Sequence, residues 1–165
     1  MTSTQLLSDA DLPAPPGARY FEHYVPGSTY EFGHVGVSEE EIVEFARRWD
    51  PQTIHDDPEL AAVGPFGGLI ASGVQTLALT MRMYVDHYVS HVASLASPGI
   101  DELRWPRPVR PGDTLRMRVA VQAARVSRTK PDRGLVHTAV TTLNQDDDPV
   151  MTFTAMNLFG RRPEA

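Results

Sequence analysis

The chain contains no cysteine. A disulfide framework, a thiolate nucleophile and cysteine-liganded zinc are therefore excluded. No apolar run approaches the ~18 residues that a membrane-spanning helix needs. Residues 1–9 lack the basic patch and long apolar core of a secretory leader. Positive charge is also in short supply: 15 Lys and Arg face 21 Asp and Glu, a net charge of −6. That balance argues against general nucleic-acid binding. These absences leave the expectation of a soluble, cytoplasmic protein with neither a nucleic-acid nor a membrane partner. At 165 residues, 41% hydrophobic and 22% charged, the composition is that of an ordinary globular chain of one-domain size. A chain this long buries roughly 70% of its unfolded surface, so its core needs no covalent staple.

The charge is uneven. Residues 1–90 carry 13 acids and 4 bases, whereas residues 91–165 carry 8 acids and 11 bases. The bases of the second part fall in two groups: Arg104, Arg107, Arg110, Arg116 and Arg118, then Arg125, Arg128, Lys130 and Arg133. Solvated strand faces and a solvated turn are one reading of them. A site for a phosphate-bearing cofactor or carrier is the other. Composition alone does not choose.

Residues 1–18, ending in Pro13, Pro15 and Pro16, form a proline-rich, aperiodic stretch that predicts an extended, partly disordered arm before one domain over 19–165. Residues 29–37 alternate as a short strand does. Ser38 followed three residues later by Glu41 is a capping box, and Ile42, Phe45, Ala46 and Trp49 follow at helical spacing. A helix is expected over 39–48, stopped by Asp50 before Pro51. Residues 52–68 are expected as loop or irregular turns. From Leu69 through Tyr84 the chain is apolar around much of a helical circumference, which predicts a long buried helix. Its polar exceptions, Ser72, Gln75 and Thr76, need partners. After Gly99 alternation returns, with strands expected near 101–105, 115–122, 134–144 and 149–160, a turn at 106–113 and a basic turn over 123–134. The order implies an α+β fold with one helix packed on an antiparallel sheet.

Asp50 and His55 stand five residues apart just after the capped helix. An acid and an imidazole so placed can converge on one small molecule, activate a water and shuttle a proton. The spacing equally describes a helix stop followed by a solvated histidine. Ser72 taken alone suits a serine bonded to the carbonyl one turn earlier. His87 and His91 are four apart, but no third ligand stands at a matching spacing, so an exposed helix end is favoured over a metal site. Asp56 and Asp57 suit a helix start before Pro58, and residues 146–148 suit a turn. Gly67 and Gly68 lack the Lys-Ser/Thr of a phosphate loop and suit close backbone approach at the long helix.

Three blocks together resemble a known family. The first is Phe45, Ala46, Asp50, His55, Asp57, Pro58 and Ala61; the second runs from Phe66 through Gly67, Gly68 and Leu69 to Ser72 and Gly73; the third is Arg104, Trp105, Pro108, Val109, Pro111, Gly112 and Asp113. In this order and spacing, over about 30–160, they resemble the MaoC-like dehydratases, which include the (R)-specific enoyl-CoA hydratases. The resemblance implies a hot-dog fold, an antiparallel sheet wrapped around a long central helix. It implies a hydro-lyase that adds water to a trans-2-enoyl thioester by syn addition, or removes it from a 3-hydroxyacyl thioester, without a separate cofactor. Asp50 and His55 match the dyad that holds the water, and Ser72 matches a serine early in the central helix that steadies it. A glycine amide that binds the thioester oxygen matches Gly99, with Ile100 as the alternative one residue on. Gln52 and Thr53 replace a common Asn-Pro, which loosens the loop. If coenzyme A or an acyl carrier protein bears the acyl group, Arg125, Arg128, Lys130 and Arg133 are the expected phosphate contacts, and a homodimer is the expected assembly. The alternatives are a hot-dog thioesterase and a non-catalytic acyl-thioester-binding subunit. Thioesterases of that fold generally carry their carboxylate on the central helix, where this chain has no acid between Leu69 and Val85.

Overall fold

Two hydrophobic periodicities run through the chain, near 2 over residues 29–37 and again after Ser94, and near 3.6 in the helices between, and each makes the element that it dictates. The computed structural model describes residues 6–163. In chain order it comprises β1 (Leu6–Ser8), β2 (Thr29–Gly36), α1 (Glu39–Trp49), α2 (Thr53–Asp56), α3 (Pro58–Ala62), α4 (Gly73–His87), β3 (Ser94–Arg104), β4 (Thr114–Val126), β5 (Arg133–Leu143) and β6 (Pro149–Gly160). The strands form one sheet in the order β1-β2-β4-β5-β6-β3, antiparallel throughout except that β1 runs parallel to β2. On its inner face Leu115, Met117, Val119 and Val121 of β4, Val136 and Val140 of β5, and Phe153, Ala155 and Phe159 of β6 are buried. Burying each large side chain of this set is worth about 1.5–3 kcal/mol. Helix α4 lies against β2 and β4. This is the α+β hot-dog architecture that the resemblance implied. No described helix is long and apolar enough to cross a membrane.

The face that α4 turns to the sheet is polar as well as apolar. Thr80 shares a hydrogen bond with Thr142 at 2.8 Å, Tyr84 donates to Asn157 Oδ1 at 2.8 Å, and Tyr88 meets Thr138 at 2.9 Å. All six residues are buried. Leaving any of these groups unpaired in that position costs about 1–3 kcal/mol, so the contacts admit one register of helix on sheet.

The structure departs from the sequence reading at several boundaries. Residues 52–68 contain α2 and α3 rather than loop alone, and Asp57 caps α3 by accepting from Glu59 and Leu60 amides. Helix α4 begins at Gly73, not Leu69; Leu69, Ile70 and Ala71 are buried in an extended lead-in. Its apolar circumference reflects this burial only in part, because Val74, Ala78, Met81 and Val85 face solvent. Strand β3 starts at Ser94, before Gly99, and the basic turn shortens to 127–132 because ladder pairing carries β4 to Val126. The sequence showed no signal for β1, which is too short to display alternation.

The arm is pinned where it is described; its first five residues, like the last two of the chain, lie outside the described residues. Arg19 is fully buried and donates to the carbonyls of Ala14 (2.9 Å), His87 (2.8 Å) and Tyr88. It thereby satisfies carbonyls left open at the end of α4, where a cation also suits the helix dipole. Asp9 meets His87 Nδ1 at 2.6 Å, which accounts for one of the two histidines of the helix end. Arg19→Ala should lower unfolding free energy by about 2–4 kcal/mol, because one buried and two half-buried carbonyls lose a charged donor. Urea denaturation followed by circular dichroism measures it; a loss under 1 kcal/mol would remove Arg19 from this role.

Candidate active site

The site begins with the cap of α1. Ser38 Oγ accepts from the Glu41 amide at 3.2 Å, while Glu41 takes the Ser38 amide at 3.0 Å. After eleven helical residues the helix ends at Asp50, whose amide still reaches Ala46 O at 2.8 Å. Pro51 forbids another turn, and the chain leaves Asp50 facing inward. Gln52 then donates from Nε2 to Asp50 Oδ1 at 2.6 Å. The single turn of α2 presents His55, which is buried.

His55 Nδ1 lies 2.8 Å from the Ile70 carbonyl. A carbonyl only accepts, so Nδ1 carries the proton of that bond and Nε2 is left facing Asp50 Oδ2, 3.6 Å away. The Ile70 segment is itself tied down, by its amide to Ile54 O at 3.1 Å and by the Ala71 amide to Val109 O at 2.8 Å. Ser72 closes the arrangement. It is the N-cap of α4, accepting from the Val74 amide at 3.2 Å while donating its hydroxyl proton to Asp50 Oδ2 at 2.6 Å. The Ser72 and Gln52 donors, in that order, hold the Asp50 carboxyl below the usual carboxylate range against the opposing effect of burial.

These groups stand at the wall of a cavity of about 430 Å³, lined otherwise by Phe66, Ile70, Val74, Trp105, Pro108 and Val109. The Trp105 indole lies on Gly73 and donates from Nε1 to the Gly73 carbonyl at 3.0 Å. A Cβ on Gly73 would fall 2.6 Å from the ring, so only glycine fits beneath it. The close approach expected at Gly67 and Gly68 thus occurs at Gly73; Gly67 and Gly68 have positive φ and make the preceding turn. No group of three or more His, Asp or Glu side chains among the described residues is placed to hold a metal ion. The cavity offers an ionised carboxylate, an imidazole nitrogen and apolar walls, which together suit proton transfer to and from an apolar substrate.

A family model of the MaoC-like domain matches residues 22–144. The chain belongs to the MaoC-like dehydratase family. The structure superposes on that of a MaoC-like dehydratase from Rhodospirillum rubrum with a TM-score of 0.81, at 36% identity, over 89% of this chain and 100% of that one. A 3-hydroxyacyl-thioester dehydratase Z of Mycobacterium tuberculosis is 43% identical over 84 residues, 50% of this chain and 56% of that enzyme. The chain therefore spans about half of that relative's length. A Mycobacterium tuberculosis protein with a double hot-dog fold superposes with a TM-score of 0.69 at 22% identity, covering 91% of this chain and 46% of that one, a likeness of fold.

In this MaoC-like domain Asp50, His55 and Ser72 converge, although α2 and the α4 cap come from segments about twenty residues apart. Gly99 and Ile100 do not join them: both lie on β3, paired to Met156 and Ala155 of β6, and neither lines the cavity. Arg125, Arg128, Lys130 and Arg133 sit at the far end of the sheet, where Val126 pairs with Gly134 and Arg133 with Gly160. The base that lines the cavity is instead Arg107, which pairs with Asp148, while Arg110 donates to the carbonyl of the lining residue Phe66 at 2.8 Å. Gln52 and Trp105 have functional geometry that their residue types did not announce. The one signal for Gln52 was an amide side chain two residues beyond the acid; for Trp105 it was a large aromatic entering a proline-rich turn.

Ser72→Ala removes two interactions with different pH dependence. The cap contributes about 1 kcal/mol at any pH. The bond to Asp50 stabilises only the ionised carboxyl, whose folded pKa is depressed. Its contribution is complete above the ordinary aspartate range and is lost as pH falls through the folded value. The stability gap between parent and Ser72→Ala should therefore be about 2 kcal/mol at neutral pH and narrow toward the cap contribution in acid. Melting curves from neutral to acid pH measure it; a pH-independent gap would deny the bond to Asp50.

Proposed function

We propose that the protein hydrates trans-2-enoyl thioesters, or dehydrates the corresponding 3-hydroxyacyl thioesters, through Asp50 and His55. The observation that carries this reading is the 3.6 Å separation of His55 Nε2 and Asp50 Oδ2 at the wall of an apolar cavity. It is too long for a direct hydrogen bond and short enough for one water to touch both atoms. As the water oxygen adds to the β-carbon, its proton passes to His55 Nε2. The ionised Asp50 stabilises the imidazolium, and that proton is returned to the α-carbon. Water is thus divided between the two carbons, and the residues end as they began. Ser72 and Gln52 keep both Asp50 oxygens in place, so that the carboxylate positions rather than competes for the proton. Charge developing on the thioester oxygen needs a backbone amide. Gly73 lines the cavity and opens α4, where helical amides lack partners of their own; Gly99, the position implied by the resemblance, would have to act from β3.

The same reading includes a homodimer. The outer edge of β3 is unpaired, most of its residues are exposed, and an open strand edge invites a second one. The exposed stripe of Val74, Ala78, Met81 and Val85 along α4 is a second apolar surface that a second copy covers. Sedimentation at micromolar protein should give twice the 18.2 kDa chain mass. A monomer with full activity would overturn this assembly.

Crotonyl-CoA tests the chemistry directly. Loss of enoyl absorbance without release of free thiol marks a hydratase; thiol release marks a thioesterase, and neither marks a binding subunit. Asp50→Asn and His55→Ala should each lower kcat by at least ~100-fold, the usual scale of lost acid–base help. The double variant should be little worse than the worse single, because the pair acts as a unit. Near-parental turnover by folded Asp50→Asn would overturn the assignment.

A further inference from the structure

The cavity offers a single base. Three titratable side chains line it among the described residues, Asp50, His55 and Arg107. Arg107 is a guanidinium, which does not deprotonate in a protein, and it is paired with Asp148. Asp50 accepts from Ser72 at Oδ2 and from Gln52 at Oδ1, both at 2.6 Å, and these donors hold its carboxyl below the usual carboxylate range. A carboxylate so stabilised is a poor proton acceptor. The buried Thr76 in the same wall donates to the Ser72 carbonyl at 3.3 Å, and a neutral hydroxyl takes no proton from carbon. His55 remains, with one nitrogen to use: Nδ1 donates to the Ile70 carbonyl at 2.8 Å, and Nε2 faces Asp50.

One nitrogen on one side has a stereochemical consequence. The α-carbon of a saturated acyl thioester carries two hydrogens, and a bound chain turns only one of them toward Nε2. The other meets walls made by Phe66, Ile70, Val74, Trp105 and Val109, none of which can hold a proton. When Nε2 takes the near hydrogen as a proton, the C–H bond breaks and an N–H bond forms. The electron pair passes into an enolate whose charge falls on the thioester oxygen, within reach of the unpartnered amides at the start of α4. A saturated chain has no β-hydroxyl to expel, so the enolate can only be protonated again. Before that happens, the imidazolium proton exchanges with the water shared by Nε2 and Asp50 Oδ2. That water communicates with solvent along Asp50, whose side chain is 25% exposed where that of His55 is 7%. Return of a solvent hydrogen from the same nitrogen to the same face restores the thioester.

We infer that the protein has a further activity, exchanging one of the two α-hydrogens of a saturated acyl thioester with solvent, on one face only, through His55 Nε2. This rests on the thioester reading above and on its Asp50–His55 pair. It goes beyond hydration, because a concerted addition of water forms no enolate and needs no base able to remove hydrogen from an unactivated chain. The substrate class is correspondingly wider: acyl thioesters with neither a double bond nor a β-hydroxyl. A chain bearing a methyl group on the α-carbon exchanges its single α-hydrogen with configuration retained, since no second base stands on the opposite face.

Butyryl-CoA in deuterium oxide is the probe, with mass spectrometry counting deuterium in the acyl chain and proton NMR following the α-methylene signal. The parental protein should bring the chain to one deuterium and stop there, and His55→Ala should slow that step by at least ~100-fold. Exchange no faster than without protein, or two deuteriums entering at equal rates, overturns the inference. The count is read on the parental protein, so it stands whether or not the variant folds. The two epimers of 2-methylbutyryl-CoA, supplied separately, give a second check. One of them should gain deuterium without the other epimer appearing; epimerisation overturns the single-base assignment. Crotonyl-CoA assayed beside these substrates separates the two readings. Hydration without exchange of butyryl-CoA overturns this inference alone, and failure of both removes the hydratase reading with it. Exchange without hydration upholds the inference and counts against the hydratase reading only.

Discussion

One serine hydroxyl joins the two helices on which the site is built. Ser72 caps α4 by accepting from Val74 and, with its own proton, holds Asp50 at the end of α1. Because the hydroxyl has one donor and can accept at the same time, both contacts are made by a single atom in a single rotamer. The start of one helix and the stop of another are thereby registered to within a hydrogen-bond length. His55 is referred to the same frame through the Ile70 carbonyl, two residues before Ser72. Displacing α4 along its axis would therefore move Ser72 and Ile70 together and separate both members of the pair from their supports.

What keeps α4 from moving is the seam of buried hydroxyls and tyrosines beneath it. Apolar contacts alone tolerate sliding, since a methyl group is satisfied by any apolar neighbour. The pairs Thr80 with Thr142, Tyr84 with Asn157 and Tyr88 with Thr138 are directional, and sliding by one turn would strand them in the core. Arg19 adds a stop at the far end by filling the open carbonyls of His87 and Tyr88. At the near end Trp105 rests on Gly73, so the proline-rich strap after β3 is also referred to the first residue of the helix. Stability and site geometry share these contacts.

One face remains open. The surfaces that the fold leaves exposed, the β3 edge and the α4 stripe, are the two that would bury apolar area and pair backbone groups against a second copy.

Local chemistry was legible in the sequence wherever neighbours along the chain decide the outcome. The Ser38–Glu41 box, the stop at Asp50 before Pro51, the cap at Asp57 and the alternation of β4, β5 and β6 each follow from side chains within a few residues. The α+β class followed from their order, and Asp50, His55 and Ser72 were named through the three blocks that resemble the MaoC-like family. Contacts between distant segments were not legible. Nothing in the sequence says that Ser72 lies outside α4, that Trp105 needs Gly73, that Gln52 turns back on Asp50, or that Arg19 is buried. Each of these depends on which surfaces the sheet brings together. The bases show the limit most plainly: the sequence displayed two clusters, of five and four, and strand pairing put Arg107 of the first at the cavity and the second at the opposite end of the sheet.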